Sequence, residues 1–408
     1  MKQIAIIGGG PGGLMAAEIL SKHPELKVTI YDAMPSVGRK FLQAGRGGLN
    51  ITHAQPLEDF LAAYGTDREK LESWILDFPP HAVRAWVEGF GISTFVGSSG
   101  RVYPQDMKAA PLLRAWLRRL RRQGVDFSMR YRWQGWYQKS LVFHTPLGEK
   151  LIEADRCILA LGGASWPNLG SNGEWVKAFS LEQISPFLPA NCGFDVSWSP
   201  VFKERFAGQP LKSVRLEVKT HNNQAWLQKG ECLITEQGIE GSLIYALSRP
   251  IRDALLANES LQVSLDLMPD CTAADLLQRL AKPRTKLSLS NVFKRAGIDA
   301  IRLGLLREKL TPERLHDPVD SVALLKCYPL TLLKPRPVTE AISSAGGLKF
   351  DSLTPEGEIS GYPGCFAVGE MLDWEAPTGG YLLTAVLAQA RFVSKSLLNQ
   401  LGLKPTSY

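Results

Sequence analysis

The order of apolar and polar positions lays out the chain. Ile4-Ala5-Ile6-Ile7 is a continuous apolar run, and Lys2–Ile7 reads as a buried strand. Over Pro11–Lys22 the period changes: Leu14, Ala17 and Leu20 recur three apart, which predicts a helix. Lys27–Tyr31 is a second strand. Strand, helix and strand within the first 32 residues make a βαβ unit, with parallel pairing and a right-handed crossover. Leu57–Phe90 reads as helical and amphipathic, and Ala109–Arg122 as a further helix. Val125–Arg130, Trp133–Tyr137 and Leu141–Thr145 follow as short strands, and Cys157–Ala160 is a strand entering a glycine pair.

Beyond about Pro186 the texture changes. Val214–Thr220, Ala225–Gln228, Glu231–Thr235 and Leu261–Leu265 are short alternating segments, expected for an antiparallel or barrel-like unit. Helices are expected over Thr272–Ala281, Leu289–Ala296 and Asp299–Lys309. Near Leu330 the chain returns to strand–loop–strand, and a long helix from Tyr381 to about Leu401 closes it. The expected fold class is therefore α/β, a discontinuous parallel-sheet domain interrupted by a β-plus-helical insert. No internal repeat or low-complexity segment is present.

Composition narrows the class. The 408 residues are 45% apolar and 21% charged, as in an ordinary globular protein of two or three domains. No apolar run approaches the ~18 residues of a membrane-spanning helix. The N-terminus lacks a signal-peptide pattern, so a cytoplasmic location is expected. Six cysteines are scattered, the closest pair 35 residues apart, with no CxxC. Neither a zinc ribbon nor a vicinal redox disulfide is suggested, and mostly buried thiols are expected. The six histidines form no HxxxH or HExxH, so no metal site is expected. The net charge of +7 is uneven. Residues 101–140 carry ten Lys/Arg against two acids, net +8, and residues 279–309 carry nine against two, net +7, leaving the remainder at −8.

Four motifs carry chemistry. Gly8, Gly10 and Gly13 fit GxGxxG between a strand and a helix. Gly8 makes the tight turn, Gly10 bares the backbone for a pyrophosphate, and Gly13 lets helix and sheet pack closely. Pro11 suits the first helical turn, where no N–H is needed. Phosphates would face the helix N-terminus, and Asp32, 19 residues after Gly13, would accept from a ribose. This predicts a dinucleotide without separating FAD from NAD. The second motif, Gly38 to Thr52, includes Arg39, Lys40, Gly45, Gly47, Gly48 and Asn50, whose loop would continue from ribose toward a flavin. The third is Gly162-Gly163 at the end of a strand. The fourth is Gly369-Glu370 with Asp373, then Thr378-Gly379-Gly380-Tyr381 opening the last helix. There a carboxylate would meet a ribityl hydroxyl, and a helix N-terminus a flavin carbonyl. Trp133 completes the set of candidate cofactor contacts.

Together with Gly100-Arg101-Val102-Tyr103-Pro104, Met107-Lys108-Ala109 and Gly162 to Pro167, these motifs resemble the BaiN/YhiN-like family of FAD-dependent oxidoreductases, over nearly the full length. The resemblance implies a discontinuous Rossmann-like FAD domain with an inserted β-barrel-like domain carrying a small helical subdomain. The boundaries would be 1–188 and 337–408 for the FAD domain, 189–268 for the barrel, 269–318 for the helical subdomain, and 319–336 for the return. In one respect this chain departs. The family loop ends Gly-Gly-Gly-Arg-Cys-Asn, whereas Gly48 and Leu49 occupy the Arg and Cys positions here. No role for that guanidinium or thiol carries over.

The resemblance implies reduction of a carbon–carbon double bond by hydride from reduced flavin, in a uracil base of ribosomal RNA or an unsaturated small molecule. No second GxGxxG follows a strand, so NAD(P)H is expected to visit the flavin directly and transiently. The proton would come from Tyr103, Lys108, Tyr381 or water. Tyr103 also reads as a packing aromatic and Lys108 as a solvated or phosphate-binding lysine. Arg114, Arg118, Arg121 and Arg122 share one helix face, either solvated or an RNA-backbone contact. Two other classes stay open, an FAD monooxygenase or oxidase and a non-catalytic flavin-bearing RNA-binding factor.

Overall fold

The computed structural model describes residues 1–45, 47–220, 224–258, 260–281 and 288–405. Arg46 of the glycine-rich loop, and Lys282, Arg284 and Lys286 of the second basic segment, lie outside the described residues. The chain divides into two units, Met1–Ala190 with Val338–Tyr408, and Asn191–Pro337.

The first unit is built on a parallel sheet of β1 (Lys2–Ile7), β2 (Leu26–Asp32), β6 (Asp126–Met129), β10 (Arg156–Leu159) and β19 (Cys365–Ala367), in the order β19-β10-β1-β2-β6. Ile4 to Ile7 are at most 2% exposed, in a sheet against which a helix packs and whose Tyr31 ring stacks on Phe143. Helix α1 (Pro11–Leu20) opens on its proline and stops at Ser21 rather than at Lys22; the Ser21 N–H bonds the Ala17 carbonyl. It packs along α15 (Tyr381–Gln400).

Leu57–Phe90 is not one helix. It breaks into α3 (Leu57–Ala62), α4 (Arg68–Asp77) and α5 (Pro80–Glu88). Gly65 turns the chain at φ +57°, and Pro79-Pro80 ends one helix and opens the next. The predicted helix Ala109–Arg122 is α6. Three small antiparallel sheets complete the unit: β3 (Thr52–His53) and β4 (Thr94–Val96) on either side of β5 (Arg101–Pro104); β7 (Arg132–Tyr137), β8 (Ser140–Thr145) and β9 (Gly148–Ile152); and β11 (Ile184–Ala190) with β18 (Ser343–Leu348). Strands β3, β4, β5 and β9 are too short or too polar for their periodicity to announce them.

The second unit holds a curled six-stranded antiparallel sheet. Its strands are β12 (Phe194–Asp195), β13 (Pro210–Lys219), β14 (Ala225–Ile234), β15 (Gly238–Glu240), β16 (Leu261–Asp266) and β17 (Tyr328–Leu332), in the order β12-β15-β14-β13-β16-β17. Past β17 the chain pairs back onto β12. The Leu333 N–H bonds the Asp195 carbonyl at 3.0 Å, and the Asp195 N–H bonds that of Lys334 at 2.9 Å, so the sheet curls onto itself. Two predicted strands, Ala225–Gln228 and Glu231–Thr235, are one, running straight through Gly230. The expected helices are α10 (Ala273–Leu280), α11 (Leu289–Arg295) and α12 (Ala300–Lys309). Thr272 and Asp275 form a reciprocal capping box on the first, and the Asp299 side chain caps the last.

The thiols are not mostly buried. Cys157, Cys192 and Cys232 are, but Cys271 and Cys365 are half-buried and Cys327 is exposed. No helix among the described residues is long and apolar enough to cross a membrane.

Candidate functional site

The turn between β1 and α1 is shaped by what its glycines lack. Gly8 has φ +107°, and a Cβ there would lie 2.2 Å from the Ala160 carbonyl oxygen. On Gly13 it would lie 2.0 Å from the Gly8 carbonyl oxygen. On Gly10 it would meet nothing within 4 Å, so the backbone there is open to an approaching group. The first turn of α1 contains no acidic residue, and its free N–H groups favour an anion. Asp32 ends β2. Its two carboxylate oxygens accept from the N–H groups of Gly9 and Met34, each at 2.7 Å. Burial pushes the Asp32 carboxyl above the usual carboxylate range, with those two bonds opposing it.

A second group of residues meets beyond the ends of β10 and β19. Lys40 lies on α2 (Arg39–Ala44). Its Nζ donates to the Glu370 carboxylate at 2.6 and 2.9 Å and to Ser165 Oγ at 2.7 Å. Glu370 is buried and also accepts the Ser344 N–H at 3.0 Å. Sequence patterning singles out Lys40 and Glu370 separately; the fold makes them an ion pair. Ser165 lies within the Gly162 to Pro167 motif, which gives it no role, and Ser344 lies in no motif, so patterning points to neither. A Cβ on Gly163 would lie 1.8 Å from Ser344 Oγ and 3.3 Å from Glu370 Cγ, so the glycine pair is needed for this convergence. The Gly162 and Gly163 carbonyls accept from Trp175 Nε1 and Ser171 Oγ, both at 2.9 Å. Gly369 donates its N–H to Gln389 Oε1 at 2.7 Å.

The other predicted contacts are spread more widely. The Asp373 carboxylate accepts from Ser185 Oγ at 2.6 Å. Arg39 donates to Ser36 Oγ at 3.3 Å, and its Nε is buried without a protein partner. Trp133 is packed edge-on against Trp136 and tilted to Phe179, with Nε1 unbonded. Both amide atoms of Asn50 are buried without a protein partner, and Gly47 faces open space. An unsatisfied buried amide beside bare glycine backbone is what a polar, phosphate-bearing flavin would complete. The residues present therefore fit FAD.

The N-terminus of α15 closes against β3. Gly380 has φ +89°, and a Cβ there would stand 2.5 Å from the Thr52 Cα. The Tyr381 ring stacks on Phe60 and His53, at 4.7 and 5.7 Å between centroids. Its hydroxyl donates to Gln55 Oε1 at 3.1 Å, and its carbonyl accepts from the Tyr64 hydroxyl at 2.9 Å. Burial pushes the Tyr381 phenol upward, so it keeps its proton at neutral pH. Tyr103 stacks on Phe95 at 5.7 Å. It lies beside Gly48, where a Cβ would be 2.5 Å from the Met107 methyl and 3.5 Å from the Tyr103 ring. Leu49 is 2% exposed. The two departures from the family loop thus serve packing: Gly48 makes room for Met107 and Leu49 fills the core. Lys108 is exposed at the start of α6, its N–H bonding Asp106. Arg114, Arg118, Arg121 and Arg122 are exposed along α6, whereas Trp116 is fully buried.

The HI0933-like protein Rossmann domain family matches residues 2–396. The chain belongs to that family. It is an FAD-dependent oxidoreductase of Rossmann type, in agreement with the motifs. The HI0933-like chain is 26% identical, over 94% of its length and 96% of the relative's, to the 3-dehydro-bile acid delta(4,6)-reductase of Clostridium scindens. In fold it is similar to the 3-ketosteroid-delta4-(5alpha)-dehydrogenase of Rhodococcus jostii, with TM-score 0.50, 14% identity and 97% of each chain covered. It is likewise similar to the 3-ketosteroid delta1-dehydrogenase of Sterolibacterium denitrificans, with TM-score 0.50, 11% identity, and 98% and 100% covered.

Proposed function

We propose that this protein reduces a carbon–carbon double bond conjugated to a carbonyl in a small molecule, with NAD(P)H as the electron source. The full-length match to a reductase named for the 4,6 double bonds of a 3-dehydro-bile acid is the observation that carries this reading. Bound FAD supplies the two-electron hydride chemistry. The chain supplies the rest. The open backbone at Gly10 and the N-terminus of α1 would hold the pyrophosphate, and Asp32 would hold the ribose. Lys40, Glu370 and Asn50 would offer polar groups to the ribityl chain and ring. Tyr381 holds a proton at Oη, kept there by burial and now donated to Gln55 Oε1, and would turn it from that acceptor to the carbon that becomes basic.

The test supplies NAD(P)H and a 3-dehydro-bile acid unsaturated at 4 and 6, without oxygen. The expected product is heavier by two hydrogens per double bond reduced. NAD(P)H oxidation that needs oxygen and releases peroxide, with the acid unchanged, overturns the proposal in favour of an oxidase or monooxygenase.

A second reading concerns α6. We infer an RNA-backbone contact through Arg114, Arg118, Arg121 and Arg122, which are exposed and have no ion-pair partner among the described residues. Filter binding of ribosomal RNA should weaken steeply with salt. Binding that is absent at low salt, or indifferent to salt, removes this reading.

A further inference from the structure

Cys157 and Cys365 are 208 residues apart in the chain and face each other on adjacent parallel strands. In register, Cys157 lies opposite Cys365, followed by the apolar pairs Ile158–Phe366 and Leu159–Ala367. Neighbouring strands run ~4.8 Å apart. That falls within the about 4.4–6.8 Å Cα separation that a disulfide spans. Here the two sulfurs stand 2.8 Å apart, Cys157 donating its S–H to Cys365. Cys157 is 3% exposed, and Cys365 is half-buried and accessible from solvent. The other four cysteines belong to the other unit.

The pair sits away from the chemistry already described. Cys365 is the first residue of β19, whereas Gly369 and Glu370 follow its far end. The two thiols are also unlike. The hydrogen bond from Cys157, helped by Trp136 and more weakly by Arg156, draws Cys365 down against burial and Glu358, while the same bond and burial hold Cys157 well up. The accessible sulfur is therefore the better thiolate and the buried one is placed to resolve.

We propose that Cys157 and Cys365 are a reversible thiol–disulfide site whose co-reactant is a low-molecular-weight disulfide such as oxidised glutathione. The Cys365 thiolate attacks one glutathione sulfur; the glutathione S–S bond breaks, a mixed disulfide forms, and one glutathione thiolate leaves. Cys157 gives its proton to that thiolate and attacks Cys365 Sγ, expelling the second glutathione thiolate, which takes a proton from solvent. Two protein thiols are oxidised and one glutathione disulfide is reduced to two thiols. Within the sheet β19 has three residues and pairs with β10, and its other edge is bridged at Phe366 to Glu358. The bond would therefore fasten the strand that leads into Glu370.

The test uses the full-length flavoprotein, incubated with oxidised glutathione, alkylated under denaturing conditions and digested. The expected result is a linked peptide pair containing Cys157 and Cys365, released by dithiothreitol, with slower hydrogen exchange over 365–367. Cys157→Ser should stop at a glutathione adduct on Cys365, and Cys365→Ser should leave Cys157 unmodified. Full alkylation of both cysteines overturns the proposal, as does a stable mixed disulfide on the wild-type chain.

Discussion

Asp32 shows how one side chain serves both fold and ligand. Its carboxylate braces the glycine turn through Gly9 and Met34, yet burial makes ionisation harder than usual. A ribose hydroxyl donates to the ionised form, so protonation competes with FAD. FAD affinity should therefore fall as pH drops through the raised Asp32 pKa, at a higher pH than an ordinary carboxylate would cause. Titration of apoprotein with FAD from neutral to acid pH checks this, and Asp32→Ala should bind weakly with a flattened profile. Lys40 and Glu370 are coupled in another way. Lys40→Met leaves a buried carboxylate facing only the Ser344 N–H among the partners described, and should cost about 3 kcal/mol, at the low end for a broken buried pair because Lys40 is partly exposed. Adding Glu370→Gln should restore much of the melting temperature but not FAD content, a non-additivity that a double-mutant cycle measures. At Tyr381, replacement by Phe should keep FAD and lower kcat by roughly 10²–10⁴-fold if the phenol delivers the proton. An unchanged kcat assigns the proton elsewhere.

At the scale of elements, the long and strongly periodic segments are the ones that patterning reads well. Strands β1, β2, β6 and β10 and helices α1, α6 and α15 fall within about two residues of their predicted bounds. Between Leu57 and Phe90 amphipathicity persists across three helices, and only Gly65 and the Pro79-Pro80 pair betray the breaks. The two- to four-residue strands β3, β4 and β5 lack an apolar run like that of β10 and carry no usable period. Yet β3 is the strand against which the last helix opens. Gly380→Ala would press a methyl into the Thr52 backbone and force φ +89° on a residue with a Cβ. It should cost about 1–3 kcal/mol and lower FAD occupancy together. A thermal melt with a flavin absorbance count reads both, and an unchanged melt would mean that α15 shifts freely.

For the molecule as a whole, the discontinuous α/β plan was legible because texture changes at both ends of the insert. The glycine motifs were legible because turn, close approach and helix start each demand glycine at a fixed spacing. What joins Lys40, Ser165, Ser344 and Glu370 was not, since the contacts span up to 330 residues. The same is true of Cys157 beside Cys365, which spacing along the chain could not reveal. The central claim is that these parts make an FAD-dependent double-bond reductase. The most direct measurement reduces the purified yellow protein with dithionite in the absence of oxygen, removes the excess, and adds one equivalent of a delta(4,6)-unsaturated 3-dehydro-bile acid. The predicted result is return of the oxidised flavin spectrum in step with saturation of one double bond. A spectrum that stays bleached with the acid, yet returns rapidly on admitting oxygen, would contradict the account.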